Sequence, residues 1–339
     1  MNFFSDTTAP AHPRLIEAIT AANTGYAPSY GGDAISARVE TRLKEIFESD
    51  LKLLFAVSGT ASNALALSVL CPAHGAILCH DEAHIHRDER GAPEFYTGGG
   101  KLIPLRGEHA KIDLTELDRV LAETPEGFVH TSPVRVLSLS NLTESGTAYT
   151  PAEVAERAGR IKDRPAFVHM DGARFANALV SLGCSPAELT WKAGVDVLCF
   201  GATKNGALGA EAIILFPSVM DRFEELQVRQ KRGGHMAPKI RFMAAQFEAW
   251  LADDLWLTLA RTANERAASL AAGLAALPGV EILHPVDGNE VFARIPGGTA
   301  DAMRAAGAGF YQWPDGSARL VASWCTTSDE ITGLVEAGR

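Results

Sequence analysis

The sequence predicts an α/β fold: a large domain over residues 1–250 with an N-terminal arm, then a smaller α+β domain over residues 251–339. Three observations support it. Short apolar runs bounded by glycine, such as Ala166-Phe167-Val168-His169-Met170 and Val195-Asp196-Val197-Leu198-Cys199-Phe200, have the length and texture of buried strands. Segments of helical period separate those runs. Beyond Pro278-Gly279 the elements shorten and alternate with no Pro/Ser-rich spacer before them, which puts the boundary inside a helix near residue 250 rather than at a linker.

Taken in order, Ser5-Asp6-Thr7 makes a polar turn before a helix over Pro13–Ala22. Gly25–Asp33 is a loop rich in tyrosine and glycine, followed by an amphipathic helix over Ser36–Phe47. A strand over Leu53–Val57 leads through Ser58-Gly59-Thr60 into a helix over Ala61–Leu70. Free N–H groups and the positive end of the helix dipole make such a junction an anion site, although a plain capped helix reads the same way. No lysine follows as in a Walker loop, so a single phosphate monoester fits better than a nucleotide. Thr203, far along the chain, is a second hydroxyl for that phosphate.

Strands follow over Ala76–His80, Lys101–Leu105 and Val134–Ser140, with helices over Asp113–Ala122 and Pro151–Lys162. Between them His80-Asp81-Glu82-Ala83-His84-Ile85-His86 gathers histidines and acids. The metalloprotease signature is His-Glu-x-x-His on a helix, whereas this cluster reads His-Asp-Glu-Ala-His directly after a strand, so no metal is expected. Helix Ala173–Leu182, strand Ala210–Phe216 and an alanine-rich helical stretch from Lys239 to Leu277, broken near Asp253-Asp254, complete the large domain and enter the small one. The remainder comprises Val280–Leu283, Glu290–Ile295, Thr299–Ala306, Arg319–Trp324 and Ser328–Ala337.

Composition narrows the function. Hydrophobic content of 47% with 21% charged residues is that of a globular protein, and a net charge of −10 argues against nucleic acid and anionic membranes as partners. No apolar run approaches the roughly 18 residues of a membrane span, and Met1–Asp6 shows no basic n-region or apolar signal core. Five scattered cysteines without a Cys-x-x-Cys suggest buried thiols in a reducing, cytoplasmic setting.

Two apolar strands end in charge: the first at Asp171-Gly172-Ala173-Arg174, the second at Thr203-Lys204-Asn205-Gly206. Alone, Asp171 reads equally as a helix cap and Lys204 as a solvated lysine. Together, at the carboxyl ends of two such strands, where open α/β sheets place ligands, they match one chemistry. Pyridoxal 5'-phosphate needs a lysine for its Schiff base and an acid at its pyridine nitrogen.

The strings His169-Met170-Asp171-Gly172-Ala173-Arg174, Gly201-Ala202-Thr203-Lys204-Asn205-Gly206, Phe4-Ser5-Asp6-Thr7, Val57-Ser58-Gly59-Thr60-Ala61-Ser62-Asn63, Glu82-Ala83-His84-Ile85 and Lys231-Arg232-Gly233-Gly234-His235-Met236 resemble the fold-type I, pyridoxal-phosphate-dependent L-threonine aldolases of the low-specificity type, in the β-eliminating lyase group. The resemblance spans essentially the whole chain. It implies a mostly parallel large sheet and retro-aldol cleavage of L-threonine, L-allo-threonine or related L-3-hydroxy amino acids to glycine and an aldehyde. Lys204 would hold the cofactor and Asp171 its ring nitrogen; Ser58, Gly59, Thr60 and Thr203 would hold the phosphate, with His84 stacked on the ring. Arg174 and Arg319 would clamp the substrate carboxylate with Ser5 nearby, and the β-hydroxyl proton would go to His84 or to a water held by His84 and Glu89. Tyr30 and one of Lys231, Arg232 or Lys239 would reach a neighbouring subunit's site in a homodimer or homotetramer. In one place the chain departs from the family pattern: Asn141-Leu142-Thr143-Glu144-Ser145-Gly146 has no second histidine, leaving Thr143 and Glu144 to fill that space. Two other readings remain: β-elimination from an aromatic or 3-hydroxy amino acid, and a metal-dependent hydrolase at His80, Asp81 and His84. A non-catalytic binding module leaves the combination of Asp171, Lys204 and the anion turn without a reason.

Overall fold

The computed structural model describes residues 1–339. Seven strands form the large sheet: β1 (Lys52–Ala56), β2 (Ala76–His80), β3 (Lys101–Leu105), β4 (Val134–Ser140), β5 (Phe167–Gly172), β6 (Val197–Gly201) and β7 (Glu211–Leu215). Their spatial order is β1-β7-β6-β5-β4-β2-β3. Strands β3, β2, β4, β5 and β6 pair in parallel, and β7 runs antiparallel between β6 and β1. A mostly parallel sheet covered on both faces explains why its strands are apolar runs rather than alternating ones. Every residue of β2, β6 and β7 is buried.

That topology fixes the position of the site. The carboxyl ends of β1, β2, β4, β5 and β6 lie along one edge, the edge from which such sheets bind ligands. Because β7 is reversed, its first residue lies there too: Glu211 pairs in register with Gly201 on one side and Ala56 on the other.

The strand before Lys204 is anchored by aromatic packing. The Phe200 ring lies 5.1 Å from Trp250, 5.6 Å from Trp256, 5.7 Å from Phe175 and 5.9 Å from Phe47, centroid to centroid. Such pairs contribute about 0.5–1.5 kcal/mol each beyond burial. The turn after Lys204 is tied down as well. Asn205 donates through Nδ2 to the Trp256 carbonyl at 2.8 Å, and the Trp250 indole donates to the Asn205 carbonyl at 2.9 Å. Gly206 closes this turn at φ +96°, a conformation that suits glycine.

The helical stretch after Lys239 is two helices, Arg241–Leu251 and Leu255–Ala275, with a 3₁₀ turn at Ala252–Asp254 between them. Asp253 and Asp254 both take left-handed φ values there, which accounts for the break. A helix over Phe223–Arg232, which the sequence reading does not contain, precedes the basic glycine-rich loop. The second sheet is antiparallel, in the order β10 (Tyr311–Gln312), β11 (Ser317–Val321), β9 (Glu290–Arg294), β8 (Glu281–Ile282). Its core takes Leu270 and Leu274 from the long helix and Phe3 from the opposite end of the chain. Phe3 is stitched in by its backbone, donating to the Gly309 carbonyl at 2.8 Å and accepting from the Val321 N–H at 2.9 Å.

Candidate active site

A cavity of about 260 Å³ opens at the strand ends. Its lining draws one side chain or turn from each neighbouring strand: Ser58-Gly59-Thr60 after β1, His84 after β2, Glu144 after β4, Asp171 on β5 and Lys204 after β6. A second cavity of about 680 Å³ adjoins it and adds Ser5, Glu290, Phe292, Trp313 and Arg319. Thr7, His84, Glu144, Arg174 and Lys204 border both.

Asp171 is buried and firmly held. Its carboxylate accepts from Asn63 Nδ2 at 2.8 Å and from the Ala173 N–H at 3.0 Å. Burial works against its charge, yet Lys204, His84 and these donors together keep its pKa below the ordinary value. Behind it, His169 is fully buried between Ser138 and Cys199, and burial lowers its pKa to about 4, so it stays neutral.

Ser58 caps the helix Gly59–Leu70, accepting from the Ala61 N–H at 3.2 Å. The N–H groups of Gly59 and Thr60 have no intrahelical acceptor and face an open place, since a Cβ on Gly59 would touch nothing within 4 Å. Thr203 keeps its hydroxyl against Ala210, accepting from the Ala210 N–H at 3.2 Å, and lines the same cavity. His84 sits in a short helical turn with Nδ1 2.8 Å from Glu89 Oε1, and that carboxylate raises its pKa. Glu89 also accepts from Asn63 Nδ2 at 3.0 Å, linking the His84 and Asp171 sides of the cavity.

Arg174 meets acids of the chain itself. Its guanidinium is spent inside the protein: Nε and Nη2 meet the Asp6 carboxylate at 2.7 and 3.0 Å, and Nη1 lies 3.1 Å from Glu290 Oε2. Asp6 also accepts from Asn289. Although burial opposes the charge on Asp6, Arg174 and Lys204 outweigh it and hold the pKa below its ordinary value. Arg174 lines both cavities, and a substrate carboxylate reaching it would compete with these two buried acids. Arg319 is different. It borders the outer cavity over the Tyr311 ring at 5.2 Å, and its Nε is buried without a partner. Ser5 lines the same cavity. Tyr30 lines neither: it is half exposed at φ +60°, with Lys231 Nζ 4.8 Å from its ring centroid.

The histidine cluster does not converge. His80 Nδ1 accepts from the Glu82 N–H at 3.1 Å while Nε2 faces the Gly107 carbonyl at 3.1 Å, and His84 turns towards Glu89. No three His, Cys, Asp or Glu side chains are placed to hold a metal ion.

The sequence reading assigns no role to Thr7, Asn63 or Glu211, and all three line the inner cavity. Burial raises the Glu211 pKa to about 7, with the Thr203 hydroxyl and Lys204 opposing. The donor set fits pyridoxal phosphate: a lysine amine, a buried carboxylate held ionised, two free backbone N–H groups, and the buried Asn63 Oδ1 with no partner.

Comparison with known proteins agrees. The model of the beta-eliminating lyase family matches residues 2–296. The chain is 40% identical over 333 residues to a low specificity L-threonine aldolase of Pseudomonas aeruginosa, covering 98% of this chain and 95% of that protein. A Pseudomonas sp. protein of the same name is 39% identical over the same coverage. Among solved structures, the Leishmania major threonine aldolase superposes with a TM-score of 0.92 at 26% identity, covering 99% of this chain and 98% of that one. The fold extends to an aspartate aminotransferase of Thermotoga maritima, TM-score 0.74 at 12% identity.

Proposed function

The chain belongs to the beta-eliminating lyase family and is a pyridoxal-phosphate-dependent lyase; from that premise we propose that it cleaves the Cα–Cβ bond of L-threonine, L-allo-threonine and related L-3-hydroxy amino acids to glycine and an aldehyde. The observation that carries the reading is the convergence of Asp171 and Lys204 on one cavity beside an unfilled helix N-terminus. Names of the Pseudomonas and Leishmania relatives support the choice of substrate.

Pyridoxal phosphate, when bound, supplies an electron sink conjugated to the substrate Cα. The residues of the chain do the rest. Lys204 offers the amine that anchors the aldehyde, and Asp171 holds a proton on the ring nitrogen through a carboxylate that Asn63 and Ala173 keep oriented. Ser58, Gly59, Thr60 and Thr203 take the phosphate, and His84 covers one face of the ring. Arg319, with its unpaired Nε, receives the substrate carboxylate beside Ser5. Gripping that carboxylate sets which bond at Cα is aligned to break. Arg174 acts indirectly, holding Asp6 and so Thr7 at the cavity wall.

The reading extends to assembly and setting. Val57 lines the inner cavity yet is 44% exposed, which suits coverage by a second copy of the chain in a homodimer or homotetramer with shared sites. Five free cysteines suit the cytoplasm, and glycine formation from threonine is the metabolic role that follows.

Incubation with L-threonine tests the proposal. Glycine and acetaldehyde in equal amounts are expected; ammonia and a keto acid would instead establish β-elimination. A Lys204→Ala variant should lose both the yellow cofactor absorbance and turnover, and retention of both would refute the anchor.

A further inference from the structure

One carboxyl in this site has no task in the reading above. Glu144 is half-buried, with its two oxygens in sharply different circumstances. Oε1 accepts from the His84 backbone N–H at 2.9 Å and from the Ser140 hydroxyl at 2.7 Å, which fixes the carboxyl plane. Oε2 is buried with no partner at all. A buried carboxylate oxygen without a donor costs free energy that a protein keeps for a reason. Glu144 also borders both cavities, and so stands where the cofactor space and the substrate space meet.

The other side chains on that shared border are already engaged. Arg174 is locked between Asp6 and Glu290. Lys204 is committed to the cofactor, and the Thr7 hydroxyl already donates to Ser5. His84 turns Nδ1 to the Glu89 carboxylate at 2.8 Å and, in the reading above, lays its ring over the cofactor. We infer that Glu144 Oε2 accepts the proton of the substrate β-hydroxyl as the Cα–Cβ bond breaks, an inference that rests on the aldol-cleavage reading. The O–H bond breaks and its proton joins Oε2. The electron pair left on oxygen becomes the second bond of the aldehyde carbonyl, and the Cα–Cβ pair stays with Cα. A proton gained later at Cα and one released from Glu144 leave no net acid or base consumed. Burial, with the Asp171 charge nearby, raises the Glu144 pKa to about 7, the range in which a general base works best near neutral pH.

The test uses Glu144→Gln in the cofactor-loaded enzyme. Its amide can accept the His84 and Ser140 hydrogen bonds but cannot take a proton. Two reactions are compared: aldehyde release from L-threonine, and exchange of the glycine α-proton in heavy water followed by NMR. The second uses the cofactor, Lys204 and the carboxylate grip but involves no β-hydroxyl. Threonine kcat should fall about 10²–10⁴-fold, with glycine exchange and cofactor absorbance retained. Threonine cleavage at the wild-type rate, or equal loss of both reactions, overturns the assignment. A wild-type enzyme that exchanges glycine but releases no aldehyde refutes the aldol reading itself, and this inference with it.

Discussion

Replacing Arg174 by methionine separates an internal ion network from a substrate clamp. The substitution keeps an apolar stem of similar length and removes three short contacts to carboxylates. Asp6 and Glu290, 2% and 1% exposed, are then left facing each other without the cation that balances them. Removing one partner of a buried ion pair costs about 3–5 kcal/mol. An unfolding entropy of roughly 2.1 cal/mol/K per residue over 339 residues is about 0.7 kcal/mol/K, so the melting midpoint should fall by about 4–7 °C. Adding Asp6→Asn and Glu290→Gln to the variant should recover much of the loss, because no uncompensated charge then remains. Circular-dichroism melting of the three proteins reads the effect, with KM for threonine measured alongside. An Arg174→Met variant that melts with the wild type and differs only in KM would show that the guanidinium is available to substrate, and the network would be no more than a resting arrangement.

Two further outcomes are expected. A Cβ at position 201 would come 2.9 Å from Ala173 Cα and from Glu211 Oε2, so Gly201→Ala must shift the Lys204 strand against its neighbours; it should weaken cofactor affinity and stability together, and wild-type cofactor titration would contradict it. Glu211 has a folded pKa of about 7 against an ordinary 4.5, so the folded protein binds the extra proton between those values and loses stability as pH rises through them. Relative to wild type without cofactor, Glu211→Gln should therefore gain stability from pH 4.5 to about 7, on the order of 3 kcal/mol, read by urea unfolding at each pH; a difference independent of pH would refute the burial account.

The strands were legible because a sheet covered on both faces demands uninterrupted apolar runs, and glycine marks where each ends. Asp171 and Lys204 stood out for the same reason: charge at the end of such a run has no packing role. What escaped is what depends on direction and distance. Glu211 enters the site only because β7 runs backwards, and an apolar strand carries no sign of its polarity. The stretch from Asn141 to Thr150 reads as a polar loop, yet Asn141, Thr143 and Thr147 are buried: Asn141 pairs with the Tyr149 backbone, and Thr143 and Thr147 bond to each other and donate to the His109 carbonyl. That is why Glu144 could be named as filling space but not given a chemistry. A cation in the first turn of a helix calls for an anion. The anions are Asp6 and Glu290, from the two ends of the chain, where no local pattern could point to them.

The backbone union of Phe3 with Gly309 and Val321 has a consequence for how the enzyme comes into being. Phe3 and Asp6 find their places only against residues from the other half of the chain. Without those residues Arg174 lacks Glu290, and the outer cavity that Arg319 borders is not made. Closing so long a loop is slow and entropically costly. It also means that a chain lacking the small domain, though it carries Lys204, has no finished outer cavity.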